Sequence, residues 1–341
     1  MPSVLDASGD DRGRGEAGSS GFLLPSSELP PDAGADSDRG DSDPLVTAPD
    51  PSAPSIVNVT PANGATGVAA DAAITLTFSK PMNTAAVEAA YSSSSLPAGA
   101  VSFSWSAGDT VLEITPNQLL TRATGTDPAS TVASRYSFEI SDAARDLEGN
   151  VLPRLSTSFT TLREIQATLS ALSNRTLTGN WRSDNVFGTN DCAQNTNVAC
   201  VGDSSNGNST YRGFVTFDLS SLPAAIQDVS AAELRMSIDN ILAAPFTTLG
   251  TLGVEHVSFD VIDLTAFSAA ALGSFIGITD SAAGGDVLRA DVLEAARQDV
   301  AERERSQYRL RFTVNSDNDG NADMVELNCS SERLVLTYLL P

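Results

Sequence analysis

The chain has little positive charge, and almost none of it is lysine or histidine. Of its 341 residues, Lys and Arg together supply 20 against 43 Asp and Glu, for a formal net charge of −23. Lys80 is the only lysine and His256 the only histidine. Proteins hold nucleic acid by using Lys and Arg to displace phosphate counterions, so this balance excludes a nucleic-acid partner. It is also a poor match to anionic lipid. Such a charge favours solubility and mutual repulsion, and it leaves metal cations as acceptable partners. With one histidine, a Ser–His–Asp or Cys–His nucleophile would have to use His256, and no His-Glu-x-x-His zinc motif exists. His256 sits in GVEHVSFDV at strand spacing and is expected to be structural.

Other absences narrow the chemistry further. No apolar run approaches the ~18–20 residues of a membrane-spanning helix. The start carries no charged segment followed by an apolar core, since Phe22-Leu23-Leu24 is too short, so an exported chain implies a truncated or misassigned beginning. Gly-rich phosphate loops, nucleophile elbows and Cys-x-x-Cys are missing. Paired carboxylates for glycoside hydrolysis are defined by a spatial gap rather than a spacing, so the many acids identify none. No catalytic or cofactor-binding residue is assigned, and the chain is expected not to be an enzyme.

At 41% hydrophobic the chain can bury a real core, and its length favours two folded domains. Residues 1–53 hold nine Asp and two Glu against three Arg, with few large apolar residues. Such a segment buries too little to offset its ordering entropy and is expected to be a disordered acidic tether. From Pro54, turn punctuation by Pro61, Gly64 and Gly67 precedes a strand in which Ile74, Leu76 and Phe78 alternate with Thr75 and Thr77.

Pro54, Pro61, Gly67, Val68, Phe78, Ser79, Pro81 and Met82 stand where the SbsA-type bacterial Ig-like domain has its own entry, Gly-Val step and Phe-Ser-x-Pro-Met, and the segment resembles that family. Leu112, Ile114, Pro116 and Leu119, then Tyr136, Phe138 and Ile140, match its later strands. Asp146, Gly149 and Asn150 match an Asp-x-x-Gly-Asn turn, and Phe159-Thr160-Thr161 its closing strand. The resemblance covers residues 54–163 and implies an extracellular β-sandwich spacer with no catalytic residue.

Residues 164–341 form the second expected domain. Strand alternation recurs at Tyr211–Leu219, Ala232–Ile238, Tyr308–Val314 and Leu334–Leu340. One helix is expected over 291–305, with Asp291 as N-cap, Glu294 at the capping-box position, and Val292, Ala296 and Val300 on one face. Arg212, Phe214, Phe217, Asp218, Leu219-Ser-Ser-Leu-Pro223, Ser230, Ala231 and Leu234 resemble the DNRLRE and related carbohydrate-binding-like jelly-roll domains. The insertion 185–208 and the presence of only one tryptophan in this half, Trp181, depart from that pattern. The expected fold class is therefore all-β: an Ig-like sandwich, then a jelly-roll-like sandwich with one short helix, behind a disordered acidic tail.

The sharpest chemical motif is Asn315, Asp317, Asp319, Asn321, Asp323 and Glu326, with Gly320 at the sixth position. Oxygen ligands at positions 1, 3, 5, 7, 9 and 12 around a tight turn suit calcium, although the flanks read as strands rather than helices. The competing reading is an ion-free polar turn. Of three cysteines, Cys192 and Cys200 close a short loop, and a bridge between them would contribute roughly 2.5 kcal/mol; a bridge from either to Cys329 stays open. The reading that follows is a non-enzymatic secreted or cell-surface structural or adhesion protein, stabilised by calcium. Its expected partner is an extracellular polymer, either a polysaccharide or another surface protein. A carbohydrate-binding module and a polysaccharide-active enzyme are the alternatives.

Overall fold

The computed structural model describes residues 52–185 and 198–341, so the expected tether, apart from its last two residues, and Cys192 lie outside the described residues. The described residues belong to one compact unit. Its first part contains β1 (Ile56–Thr60), β2 (Ala65–Val68), β3 (Ile74–Phe78), α1 (Thr84–Ala90), β4 (Tyr91–Ser92), β5 (Val101–Ser106), β6 (Val111–Pro116), β7 (Thr124–Gly125), β8 (Arg135–Ile140) and β9 (Leu155–Thr161). Two four-stranded sheets, in the orders β1-β3-β6-β5 and β2-β9-β8-β4, form the sandwich. The alternation read at Ile74, Leu76 and Phe78 points all three inward, where they meet Leu112, Ile114, Phe138 and Phe159. Helix α1 was not foreseen. It has only two turns, but Asn83 caps it by accepting from the Ala86 amide at 3.1 Å.

The Asp-x-x-Gly-Asn turn has a physical basis. Asp146 Oδ1 accepts from the amides of Glu148 and Asn150 at 2.9 and 2.8 Å, and Oδ2 takes Asn150 Nδ2 at 2.8 Å and Lys80 Nζ at 2.9 Å. Desolvation opposes ionisation, but these bonds prevail and hold the Asp146 carboxyl well below the usual range. The only lysine thus ties the start of the sandwich to its last turn.

The second part contains β10 (Arg163–Ser170), β11 (Gly179–Arg182), β12 (Val198–Asp203), β13 (Thr210–Asp218), β14 (Asp228–Leu242), α2 (Pro245–Thr248), β15 (Leu252–His256) and α3 (Leu264–Ser268). It continues with β16 (Ile276–Thr279), β17 (Val287–Asp291), α4 (Leu293–Glu302), β18 (Arg305–Phe312), β19 (Met324–Asn328) and β20 (Arg333–Leu340). Strand β14 serves two layers. Its first part, to Ser237, pairs with β20 and β17, and from Ile238 onward it pairs with β19 across an irregularity between Ile238 and Asn240. One core receives Ile165, Leu334 and Leu336 from one layer and Val215, Val254 and Leu310 from the other. The result is a mostly-β, sandwich-like architecture, as expected from the sequence.

Three details differ from expectation. The helical turns α2 and α3 join α4; each is too short to show a helical period, and α3 is capped by Asp263 accepting from the Ala266 amide at 2.8 Å. Helix α4 begins at Leu293 rather than Asp291, because Asp291 ends β17 and its Oδ1 accepts from the Leu293 amide at 3.0 Å. Glu294 pairs with Arg297 at 3.2 Å instead of closing a capping box, while Val292 and Ala296 are buried as read. Finally, β13 is buried on both faces. Phe217 enters the main core, and Phe214 on the other side packs under Ile262 and Ala266.

The join near residue 162 is densely bonded. Arg163 donates from Nη1 to the carbonyls of Pro128 and Thr131 at 2.7 and 3.0 Å, and from Nε and Nη2 to the Pro341 carbonyl at 3.1 and 2.8 Å. Strand β7 pairs in parallel with β10. The two main cores nevertheless draw on separate residues. Residues 54–163 expressed alone are expected to melt cooperatively, at a lower temperature than in the whole chain. Arg163→Ala in the whole chain should cost about 1–3 kcal/mol by denaturant titration. A molten isolated fragment would show that its core depends on the second part.

Candidate functional site

The acidic loop connects β18 to β19, and residues remote in sequence hold both of its ends. Asp203, fully buried at the end of β12, accepts from the Asp323 amide on Oδ1 at 3.0 Å and from the Asp317 amide on Oδ2 at 3.3 Å. Asp323 Oδ1 accepts in turn from the Ala244 amide at 2.7 Å. Gly202 is required here: a Cβ on it would lie 2.1 Å from the Asp323 carbonyl oxygen. Burial pushes the Asp203 carboxyl above the ordinary range, and neighbouring Asp317 adds to that, although Ser316 and the two amides pull the other way.

Within the loop, Asp317 Oδ1 accepts from the Asp319 amide at 3.1 Å, and both Asp319 oxygens take Asn321 nitrogens at 2.7 Å. The Asn321 amide, and then its side chain, hold the Asp319 carboxyl below its usual range. Gly320, at φ +79°, makes the left-handed turn, and its amide donates to Asn208 Oδ1 at 3.1 Å. The structure brings together Asp317, Asp319 and Asp323, whose carboxylates offer oxygens within 4.8 Å of one another. Glu326 is not in that group. It lies in β19, in register with Cys200 and Asn240. Asn315 is also turned elsewhere, with Oδ1 3.4 Å from Arg212 Nη2 and its carbonyl 2.9 Å from Thr210 Oγ1. Asp203 was missed because nothing in its local sequence signals a contact more than a hundred residues away.

His256 is structural in the way expected. It is buried, and Nε2 lies 2.9 Å from both oxygens of Asp299, itself fully buried on α4. Ser306 Oγ bridges Asp299 Oδ2 at 2.7 Å and Tyr308 Oη at 2.9 Å. The serine therefore bonds the carboxylate and not the imidazole, which is the wrong order for a Ser–His–Asp nucleophile. The network fastens α4 to β15 and β18. On the opposite face of the same strands, Glu255 binds Arg309 at 2.6 and 2.9 Å and Arg311 at 2.8 Å. Desolvation works against the Glu255 carboxylate, but Arg311 and Arg309 outweigh it and hold the group below its usual range. Arg309 also donates to the carbonyls of Ala266, Phe267 and Ala269, fixing α3 over β13. Trp181 packs in this outer cluster against Phe214 and Ile262.

Cys200 is buried in β12, whereas Cys329 is a free, half-buried thiol. Burial first, and Glu332 second, push the Cys329 thiol up to about 12, so it stays protonated.

Residues 50–161 match the family model of the bacterial Ig-like domain, and this segment is an Ig-like domain. Among solved structures, the chain is similar to an L,D-transpeptidase from Mycobacterium smegmatis, at 17% identity and a TM-score of 0.23 over 48% of this chain and 76% of that one. It is similar to the N-terminal part of the bacterial S-layer protein SbsC, at 12% and 0.23 over 50% and 41%. A third is SGBP-B from a xyloglucan utilization locus in Bacteroides uniformis, at 10% and 0.21 over 82% and 72%. Likenesses this weak carry no argument about activity or partners. No curated protein matches the sequence.

Glu332, just before β20, is fully buried, and neither carboxyl oxygen has a hydrogen-bond partner among the described residues. Burial raises it to about 8, against a weaker pull from Arg333. A carboxyl raised in this way stabilises the fold fully below its unfolded value near 4.5, and that contribution is lost as pH climbs towards 8. Glu332→Met should therefore stabilise the protein at pH 8 by about 1–4 kcal/mol, with the gain shrinking towards pH 6. Equal effects at both pH values, measured by urea titration, would refute this account of Glu332.

Proposed function

We propose that this chain is a non-enzymatic structural or adhesive protein of the cell surface or extracellular space. The Ig-like domain acts as a spacer, and the second sandwich carries the contact surface. The observation that carries this reading is the bacterial Ig-like match over residues 50–161, together with the SbsA-type motifs read in the same segment. The packing of His256 against Asp299 supports a non-catalytic role, since the single imidazole is engaged in holding α4. The partner is an extracellular polymer, either a polysaccharide or another surface protein. Binding of the intact chain to a glycan array and to purified envelope material, with and without calcium, tests this. Turnover of a polysaccharide would overturn it in favour of the enzyme alternative. A carbohydrate-binding module has less support, because Trp181 is packed rather than offered for stacking on a sugar ring.

Calcium is part of the proposal. Asp317, Asp319 and Asp323 would supply charged oxygens and Asn321 a carbonyl, while Asn315 and Glu326, which complete the pattern in sequence, are held apart from the group by Arg212 and Thr210 and by the β19 ladder. Three carboxylates this close repel one another by roughly 1 kcal/mol per pair in water and by more when partly buried, and a divalent ion reverses that sign. At ~1 mM calcium and a dissociation constant of ~0.1 mM, the stabilisation is about 1.4 kcal/mol. Melting temperature should rise in calcium over chelator, and Asp319→Ala should abolish the rise. Identical melts of the wild-type chain in the two conditions would reduce the loop to a polar turn.

The Cys192–Cys200 disulfide is proposed on the same footing. The short separation keeps the closure cost low, and the insertion 185–208 is poor in large apolar residues. Peptide mapping of non-reduced exported protein should recover the two cysteines in one linked peptide pair, with Cys329 alkylated only after denaturation. Linkage of either cysteine to Cys329 would sink the assignment.

A further inference from the structure

Beneath α4 lies a cleft of 340 Å³, separate from the acidic loop and within the size range of small-molecule sites. One wall is the turn after β13, formed by Leu219, Leu222, Pro223 and Ile226, and the other is Val300 and Ala301 on the helix. The turn is internally bonded, with the Leu222 amide 2.9 Å from the Leu219 carbonyl and the Ser220 amide 2.9 Å from Asp218 Oδ1. Both walls are anchored to the sheet: the Gln227 amide donates to the Leu339 carbonyl at 2.9 Å, and Arg297 Nε to the Val229 carbonyl at 2.8 Å. These anchors hold the cleft open as a preformed site, so a ligand meets little reorganisation cost.

The charges at its rim are unequal. Arg297 is balanced by Asp228 and Glu294, each at 3.2 Å. Arg303, which also lines the cleft, has one ion-pair partner among the described residues, Asp299 at 3.5 Å. That carboxylate already accepts Ser306 at 2.7 Å and faces His256 at 2.9 Å, so it draws only weakly on Arg303. Arg303 therefore places a guanidinium at the mouth of a cleft whose facing walls are formed by Leu219, Leu222, Ile226 and Val300. Its planar fork suits a carboxylate, the apolar walls suit a hydrocarbon body, and the acidic surroundings disfavour a polyanion. None of the lining residues is aromatic, which argues against a sugar ring.

We propose that the cleft between the Leu219–Ile226 turn and α4 binds a small amphiphilic monocarboxylate, with the carboxylate on Arg303 and an aliphatic or aromatic body between Leu222, Ile226 and Val300. Isothermal titration of the intact chain with octanoate tests it, with octan-1-ol as the uncharged comparison. Saturable one-to-one binding of octanoate is expected. Arg303→Gln should weaken octanoate about ten-fold or more while leaving octanol unchanged, the signature of a lost charge-assisted bond. Ala301 is exposed, so Ala301→Trp should leave the melting temperature intact while filling the cleft and removing both ligands. Absence of saturable octanoate binding, equal octanoate affinity in Arg303→Gln, or binding that survives Ala301→Trp would each overturn the proposal.

Discussion

The second half of the molecule depends on one strand hydrogen-bonding in two layers. Over its fifteen residues β14 pairs with β20 and β17 as far as Ser237 and with β19 from Ile238 onward, with an irregularity between Ile238 and Asn240. The layers therefore cannot slide past each other without breaking a ladder. The covalent bend also sets where the β18–β19 loop must emerge, and it places Ala244, just past β14, within reach of Asp323. Packing of Leu334 and Leu336 against Val215 and Leu310 follows from that fixed geometry. Specificity here comes from the backbone, and side-chain burial then supplies most of the stability.

Arginine and carboxylate placement repeats one theme. Each covering segment is fastened to the sheet by a buried or half-buried charge that meets several partners. Asp299 holds α4 through His256 and Ser306, Arg309 holds α3 through three carbonyls, and Asp203 holds the acidic loop through two amides. A buried charge satisfied this fully is tolerated, and removing one partner leaves the other stranded. Glu332 is the exception, and it is kept neutral rather than paired.

The strands were legible because burial on one face leaves a period of two in the chain. Ile74, Leu76 and Phe78 point inward as that period requires, and Leu334, Leu336, Tyr338 and Leu340 enter the main core at the same period although Val335 and Leu339 between them are buried on the other face. The signal fails where both faces are covered, as on β13, because the outer cover of Ile262 and Ala266 arrives from a distant segment. Helices of one or two turns left no period to read. At the candidate site, Asp317, Asp319 and Asp323 were visible from spacing and turn chemistry alone. Asp203 and Gly202 were not, since their importance lies in contacts spanning more than a hundred residues. Glu326 shows the converse limit, for a ligand spacing written along the chain is overridden once the last position joins a ladder.

The antiparallel pairing of β10 with β20 sets Arg163 opposite Leu340, so the start of one strand and the end of the other lie side by side. A pull on Pro341 against the Ig-like domain would load this ladder in the peeling direction, opening its bonds in sequence rather than sharing the force among them. The guanidinium of Arg163, bonded to the Pro341 carbonyl and to two carbonyls of the Ig-like domain, sits where such a tear would begin. Under such a load that single side chain would act as the rivet at the crack tip.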